Sequence, residues 1–189
     1  MPNTLTVSYF VGEFKIPDIT GSSPVATANA NNLKWFIAKY EPKFLKMLLG
    51  EDLAAAFLAG ITVTAPAVPA AKWTALKNKI FVEDSTNSLY LSPAANFVYY
   101  HVMRDRITFT TSAGEVQPNN NSKTPVQQTN NRMKMVQAWN QMSEDVLVLW
   151  QWLEDNIETY PEFDPYQPDP FEYELQEISK TINMFNIGV

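Results

Sequence analysis

The stretch TPVQQTNNRMKMVQAWNQMSEDVLVLWQWLEDNI, residues 124–157, decides the fold class. It opens on Thr124-Pro125-Val126-Gln127, a capping box with proline at the first helical position. Met135, Trp139, Met142, Val146, Leu149, Leu153 and Ile157 then recur at three- and four-residue steps, which is one apolar helix face. The spacing predicts a helix from about Gln127 to Ile157, roughly 45 Å long. Its second half, VLVLWQWL over 146–153, has only Gln151 as a polar residue. A helix apolar all round is buried all round, so a neighbour is expected there: another subunit or the C-terminal tail.

Working back from this helix, residues 110–123 are a polar loop containing Asn119, Asn120 and Asn121. A long loop without internal structure usually serves function or is disordered. Ser92-Pro93 caps a helix running to about Phe109, and another helix is predicted from about Ala70 to Phe81. EDSTNS (83–88) and residues 61–69 read as loops. Asn31 or Asn32 caps a helix to Tyr40, after a loop over 20–30. Pro42 predicts a break and a new helix through Leu49, with Gly50 ending it. A short helix over Glu51–Leu58, stopped by Gly60, completes this part. At the N-terminus, alternating Leu5, Val7, Tyr9 and Val11, then Phe14 and Ile16, read as a strand arm over residues 1–20. Residues 158–189 form an acidic, proline- and aromatic-rich strap ending in a strand, INMFNIGV, that would pair with the N-terminal strand of this chain or of a neighbour. The expected architecture is mainly α. It is a helical bundle in one domain, with one long helix in the C-terminal half and a small β element from the N- and C-terminal segments. Residues 30–157 make the helical body.

Composition narrows the chemistry. The chain has 189 residues, enough for a real core, with 46% hydrophobic and 18% charged residues. It has no cysteine and one histidine, which excludes disulfides and thiolate sites and leaves zinc without a ligand set. The six glycines form no phosphate-cradling loop. The net charge of −6 argues against a general nucleic-acid grip. No secretion signal and no membrane span are expected, so the chain reads as a soluble product of the cytoplasm. His101 and Asp105 share a helix face, and Arg104 and Arg106 suit a helix end; both read as structural. Trp139, Trp150 and Trp152 read as core or interface rather than as base-stacking residues. Residues 154–177 hold nine acids and no Lys or Arg; these read as solvated, although a glycosidase-type carboxylate pair stays open. No catalytic residue, metal or cofactor is expected.

The stretch YEPKFLKMLLGEDLAAAF, residues 40–57, carries Tyr40, Glu41, Pro42, Leu45, Leu48, Leu49, Gly50 and Leu53 in a pattern that resembles phage and prophage proteins of Bacteroidetes hosts. An aromatic helix (FVYYHVMRD), a Thr- and Gly-containing loop (TFTTSAGEV) and an AWN step at Ala138–Asn140 follow in the same order. Over residues 30–157 the chain resembles the head–tail connector proteins of tailed phages, the adaptors that form a ring beneath the portal. The resemblance implies a non-enzymatic virion protein at the head–tail junction, made in the bacterial cytoplasm. It implies a homo-oligomeric ring of about a dozen copies, contacts to portal and tail or neck proteins, and DNA passing without sequence-specific binding. The interaction residues expected on this reading are Glu115, Gln117, Asn119, Asn120, Asn121 and Lys123 of the loop. Trp150 and Trp152 of the long helix and Tyr160, Phe163 and Tyr166 of the strap complete the set. Two rivals remain: a binding module using the strap aromatics, and a hydrolase using strap carboxylates.

Overall fold

A computed structural model describes residues 4–62, 70–107, 109–111, 114–116, 125–166 and 170–171, with side chains outside 107–132. It is mainly α-helical with small antiparallel β elements. Four helices, α1 (Pro24–Ile61), α2 (Ala71–Ile80), α3 (Pro93–Ile107) and α4 (Pro125–Asp155), enclose one hydrophobic core. Strands β1 (Val82–Asp84) and β2 (Leu89–Leu91) pair as a hairpin, as do β3 (Phe109–Thr111) and β4 (Gly114–Val116).

α3 is the central helix. Every residue from Ala94 to Met103 is buried, because α3 packs against α1 on one side and α4 on the other. From α4 the core takes Trp139, Met142, Val146, Leu149 and Leu153 of the predicted stripe, together with Ala138; Met135 is only partly buried, and Ile157 lies beyond the helix end and is 37% exposed. The second half of α4 departs from the expectation of burial on all sides. Val146, Leu149 and Leu153 are buried, but Leu147 and Val148 are 62% and 70% exposed. The described part of this one chain supplies nothing to cover them.

The β element is not where the sequence suggested. The N-terminal arm forms two 3-10 turns, Val7–Phe10 and Gly12–Phe14, instead of a strand. A strand needs a ladder partner for its backbone. Here Gly12 sits at φ +75°, which interrupts an extended run, and the backbone bonds locally: Tyr9 N–H to Thr6 O and Ile16 N–H to Phe10 O. The buried side chains, Leu5, Tyr9, Phe10, Ile16 and Ile19, do not alternate. The small sheets come from 82–91 and 109–116, the latter taking in the first part of the expected polar loop. The terminal strand INMFNIGV lies outside the described residues.

α1 joins the first two of the three predicted short helices, and the predicted stop at Gly50 is present as a kink. It begins at Pro24, where the Ser23 hydroxyl oxygen accepts the Ala26 N–H at 3.1 Å. It continues through Pro42 and breaks at Gly50, whose φ of 77° and ψ of 168° only glycine adopts readily. A proline inside a helix forfeits a backbone hydrogen bond and costs about 3 kcal/mol. Here the surrounding core holds the segment, with Tyr40, Phe44 and Leu45 buried.

Glu41, next to that proline, is 3% exposed. Its two carboxylate oxygens accept the Thr4 N–H at 2.7 Å and the Leu5 N–H at 3.2 Å, tying the N-terminal arm to α1. Burial raises its pKa and outweighs the lowering by those bonds. Glu41→Ala leaves two amides unsatisfied, so a loss of about 2–3 kcal/mol is expected in urea unfolding. Hydrogen exchange at the Leu5 amide should accelerate well before global unfolding; unchanged exchange would show that the arm is held by other contacts.

Candidate interaction cleft

Five segments meet around an open cleft of about 280 Å³: the 3-10 turns, the end of α2, the β1–β2 hairpin, the start of α3 and the C-terminal half of α4. The hairpin is built by its turn. The Asp84 carboxylate accepts the Thr86 and Asn87 backbone N–H groups at 3.0 and 3.1 Å and the Asn87 side-chain amide at 2.6 Å. Those bonds hold the Asp84 carboxyl below its usual pKa. The register pairs Val82 with Leu91, Glu83 with Tyr90 and Asp84 with Leu89. Glu83 and Tyr90 therefore share one face. That face meets the N-terminal arm: the Tyr9 hydroxyl donates to Glu83 Oε1 at 2.8 Å, and the Tyr9 and Tyr90 rings lie edge-on at 5.6 Å. Val82, Leu89 and Leu91 are left on the other face, each 40–48% exposed.

The cleft walls are aromatic and aliphatic, including Phe14, Tyr90, Trp152 and Leu149, with Val11, Val82, Leu91 and Val148 exposed around them. The cleft's polar residues are Glu13, Lys79, Ser92, Asn96, Gln141 and Asp145, with Tyr9 beside them. The Gln137 amide donates to Glu13, linking α4 to the second 3-10 turn. Lys79 Nζ lies 5.6 Å from the centre of the Trp152 ring, a cation–π contact. Burial, then the neighbouring Glu144, raises the Asp145 pKa. Burial, then the bond to Glu83, raises that of Tyr9. The arrangement suits a side chain that is partly apolar and carries positive charge. Among the described residues, no group of three His, Asp or Glu could hold a metal ion.

The expected interaction residues are dispersed by the fold. Trp152 lines the cleft. Trp150 is half-buried, and its Nε1–H donates to Leu48 O at 2.7 Å, a carbonyl in the last turn before the Gly50 break. Carbonyls at a helix end lack intrahelical donors, so Trp150 acts as a cap there. Tyr160 is buried, with its hydroxyl donating to Lys72 O at 2.7 Å; Phe163 is buried too. These two strap aromatics thus pack into this chain's own core, while Tyr166 is 92% exposed. Glu115 stands in β4 opposite Thr110. Gln117, Asn119, Asn120, Asn121 and Lys123 lie outside the described residues. His101 is buried against Tyr40 and Phe97. Arg104 and Arg106 fall in the last turn of α3.

Sequence reasoning did not anticipate the cleft. The signal was present in VEDSTNSLYL, residues 82–91, where two short apolar runs flank a polar turn. Read as a hairpin, it would have placed Val82, Leu89 and Leu91 together. No helix among the described residues is long and apolar enough to cross a membrane. Compared with known protein families, curated proteins and solved structures, the chain matches none.

Proposed function

We propose that this chain is a virion structural protein, a subunit of a ring-shaped head–tail connector through which phage DNA passes. The observation that carries the reading is the exposed apolar surface around the cleft: Val11, Val82, Leu91 and Val148, all 40–70% exposed. Contiguous apolar surface rimmed by polar groups marks a site of protein contact. The YEP…LLG pattern and the order of elements over residues 30–157 direct that general reading toward the connectors they resemble. A net charge of −6 suits a channel that must not hold DNA, because phosphate binding relies on Lys and Arg. Portal and tail or neck proteins are the partners on this reading, and the head–tail junction is the site.

A non-enzymatic binding module is the second reading. Tyr160 and Phe163 are buried in this chain, so such a module would use the cleft rather than the strap aromatics. Native mass across a concentration series, with negative-stain images, separates the two. A closed ring of about a dozen copies is the expected result. A chain that stays monomeric at every concentration, alone and with its portal, overturns the connector reading and favours the module.

A further inference from the structure

The cleft is open and partly apolar, and its size says something about what fills it. At about 280 Å³ it lies just under the range of roughly 300–1,000 Å³ usual for small-molecule and cofactor sites. It suits one large side chain. The walls offer aromatic faces (Phe14, Tyr90, Trp152) beside two carboxylates, Glu13 and Asp145. Glu83, Asp84 and Glu144 stand on the same elements, against Lys79, which lies over Trp152. An aromatic side chain accompanied by a cation would match this surface in shape and charge.

The chain carries such a group elsewhere. Trp35 on α1 is 56% exposed, although tryptophan is costly to leave in water. It is held edge-on against Phe36 at 5.1 Å, and Lys39 Nζ lies 5.0 Å from its ring centre. Around it the surface is basic: Lys34, Lys39 and Lys43 on α1, with Arg104 on α3 close enough to act on His101 together with Lys39 and Lys43. No residue of α1 lines the cleft.

We propose that the cleft receives Trp35 of a second copy of this chain, with the Lys39 ammonium of that copy brought toward Glu13 and Asp145. The proposal rests on the assembly reading above and names its contact. Knob and cleft are different surfaces of one molecule, so the contact is heterologous. Repeated head to tail, a heterologous contact closes into a ring or runs on as a filament. Tryptophan buried at the centre of a contact is a common energetic anchor, and carboxylates opposite lysine add orientation.

Two single-site variants test it. Trp35→Ala removes the knob and leaves the cleft. Val148→Lys places a cation on the cleft rim and leaves the knob. Both positions are exposed, so the melting curve of each variant serves as the folding control. Sedimentation velocity across a concentration series should show wild type growing into large species. Each variant alone should associate about thirtyfold or more weakly. An equimolar mixture should recover a dimer, intact cleft on intact knob, that grows no further. Wild-type-like assembly of Trp35→Ala, or a mixture that stays monomeric, overturns the contact. Rings that survive both substitutions overturn it while leaving the assembly reading in place. A wild type monomeric alone at every concentration also overturns it, and the connector reading is then decided by the experiment with portal.

Discussion

Phe97→Ala is expected to cost about 3–5 kcal/mol, the range for deleting a buried aromatic ring. At this chain length that lowers the melting temperature by about 6–20 °C. Phe97 is fully buried in the first half of α3. Its ring meets Tyr40 and Phe44 of α1 at 6.2 and 5.6 Å, His101 of its own helix at 4.6 Å, Trp139 of α4 at 6.1 Å and Phe171 of the strap at 6.3 Å. It is the point where three helices and the strap share a contact. Removing it leaves a cavity walled by rigid rings, which collapse poorly into empty space, so the upper half of the range is expected. Phe97→Leu keeps most of the volume and should recover more than half of the loss. Equal losses in the two variants, measured by urea unfolding, would show that ring stacking rather than volume holds this point together.

The sequence showed where helices lie wherever a stripe of apolar residues must face a core. α4 was legible from Met135 to Leu153, and Ser92-Pro93 marked the start of α3 correctly. α1 was not legible at its start for a definite reason. Val25 and Trp35 face solvent and only Ala26 is buried before Leu33, so residues 24–32 carry no apolar period. Ser23-Pro24 bore the same signature as Ser92-Pro93, and it went unread because no stripe followed. At Pro42 a local preference lost to the core on both sides of it. The N-terminal arm misled because alternation suggests a strand only when a partner strand exists. Here Glu41 supplies a carboxylate where a strand would supply carbonyls. Of the candidate site, only Trp152 was anticipated. The rest of the cleft comes from five separate segments that the pattern of any single one does not bring together.

The second large effect concerns acid. His101 is 2% exposed, its ring stacked on Tyr40 at 3.8 Å and 10° and edge-on to Phe97. Burial, then the positive charges of Arg104, Lys43 and Lys39, pull its pKa down from 6.5 to about 3. In the unfolded chain the imidazole titrates normally. Between pH 6.5 and 3 the unfolded state therefore holds a proton that the folded state refuses. Stability is present in full above pH 6.5, falls as the pH drops, and levels off below about 3. A shift of this size corresponds to a loss of about 4–5 kcal/mol across the window. Glu41 and Asp145 act in the opposite direction. Burial raises both carboxyl pKa values, so each favours folding as pH falls through its own raised value. A single wild-type profile mixes these slopes, and the difference between two proteins separates them. His101→Phe keeps a flat ring against Tyr40 and removes the titration. It should cost about 1–2 kcal/mol at pH 7, because a bulkier ring enters a close-packed site. It should then lose less than wild type on acidification, so that the two urea midpoints converge or cross between pH 6 and 4. Parallel profiles would mean that the imidazole gains its proton without disturbing the fold, and that the cationic face of α1 and α3 tolerates one more charge.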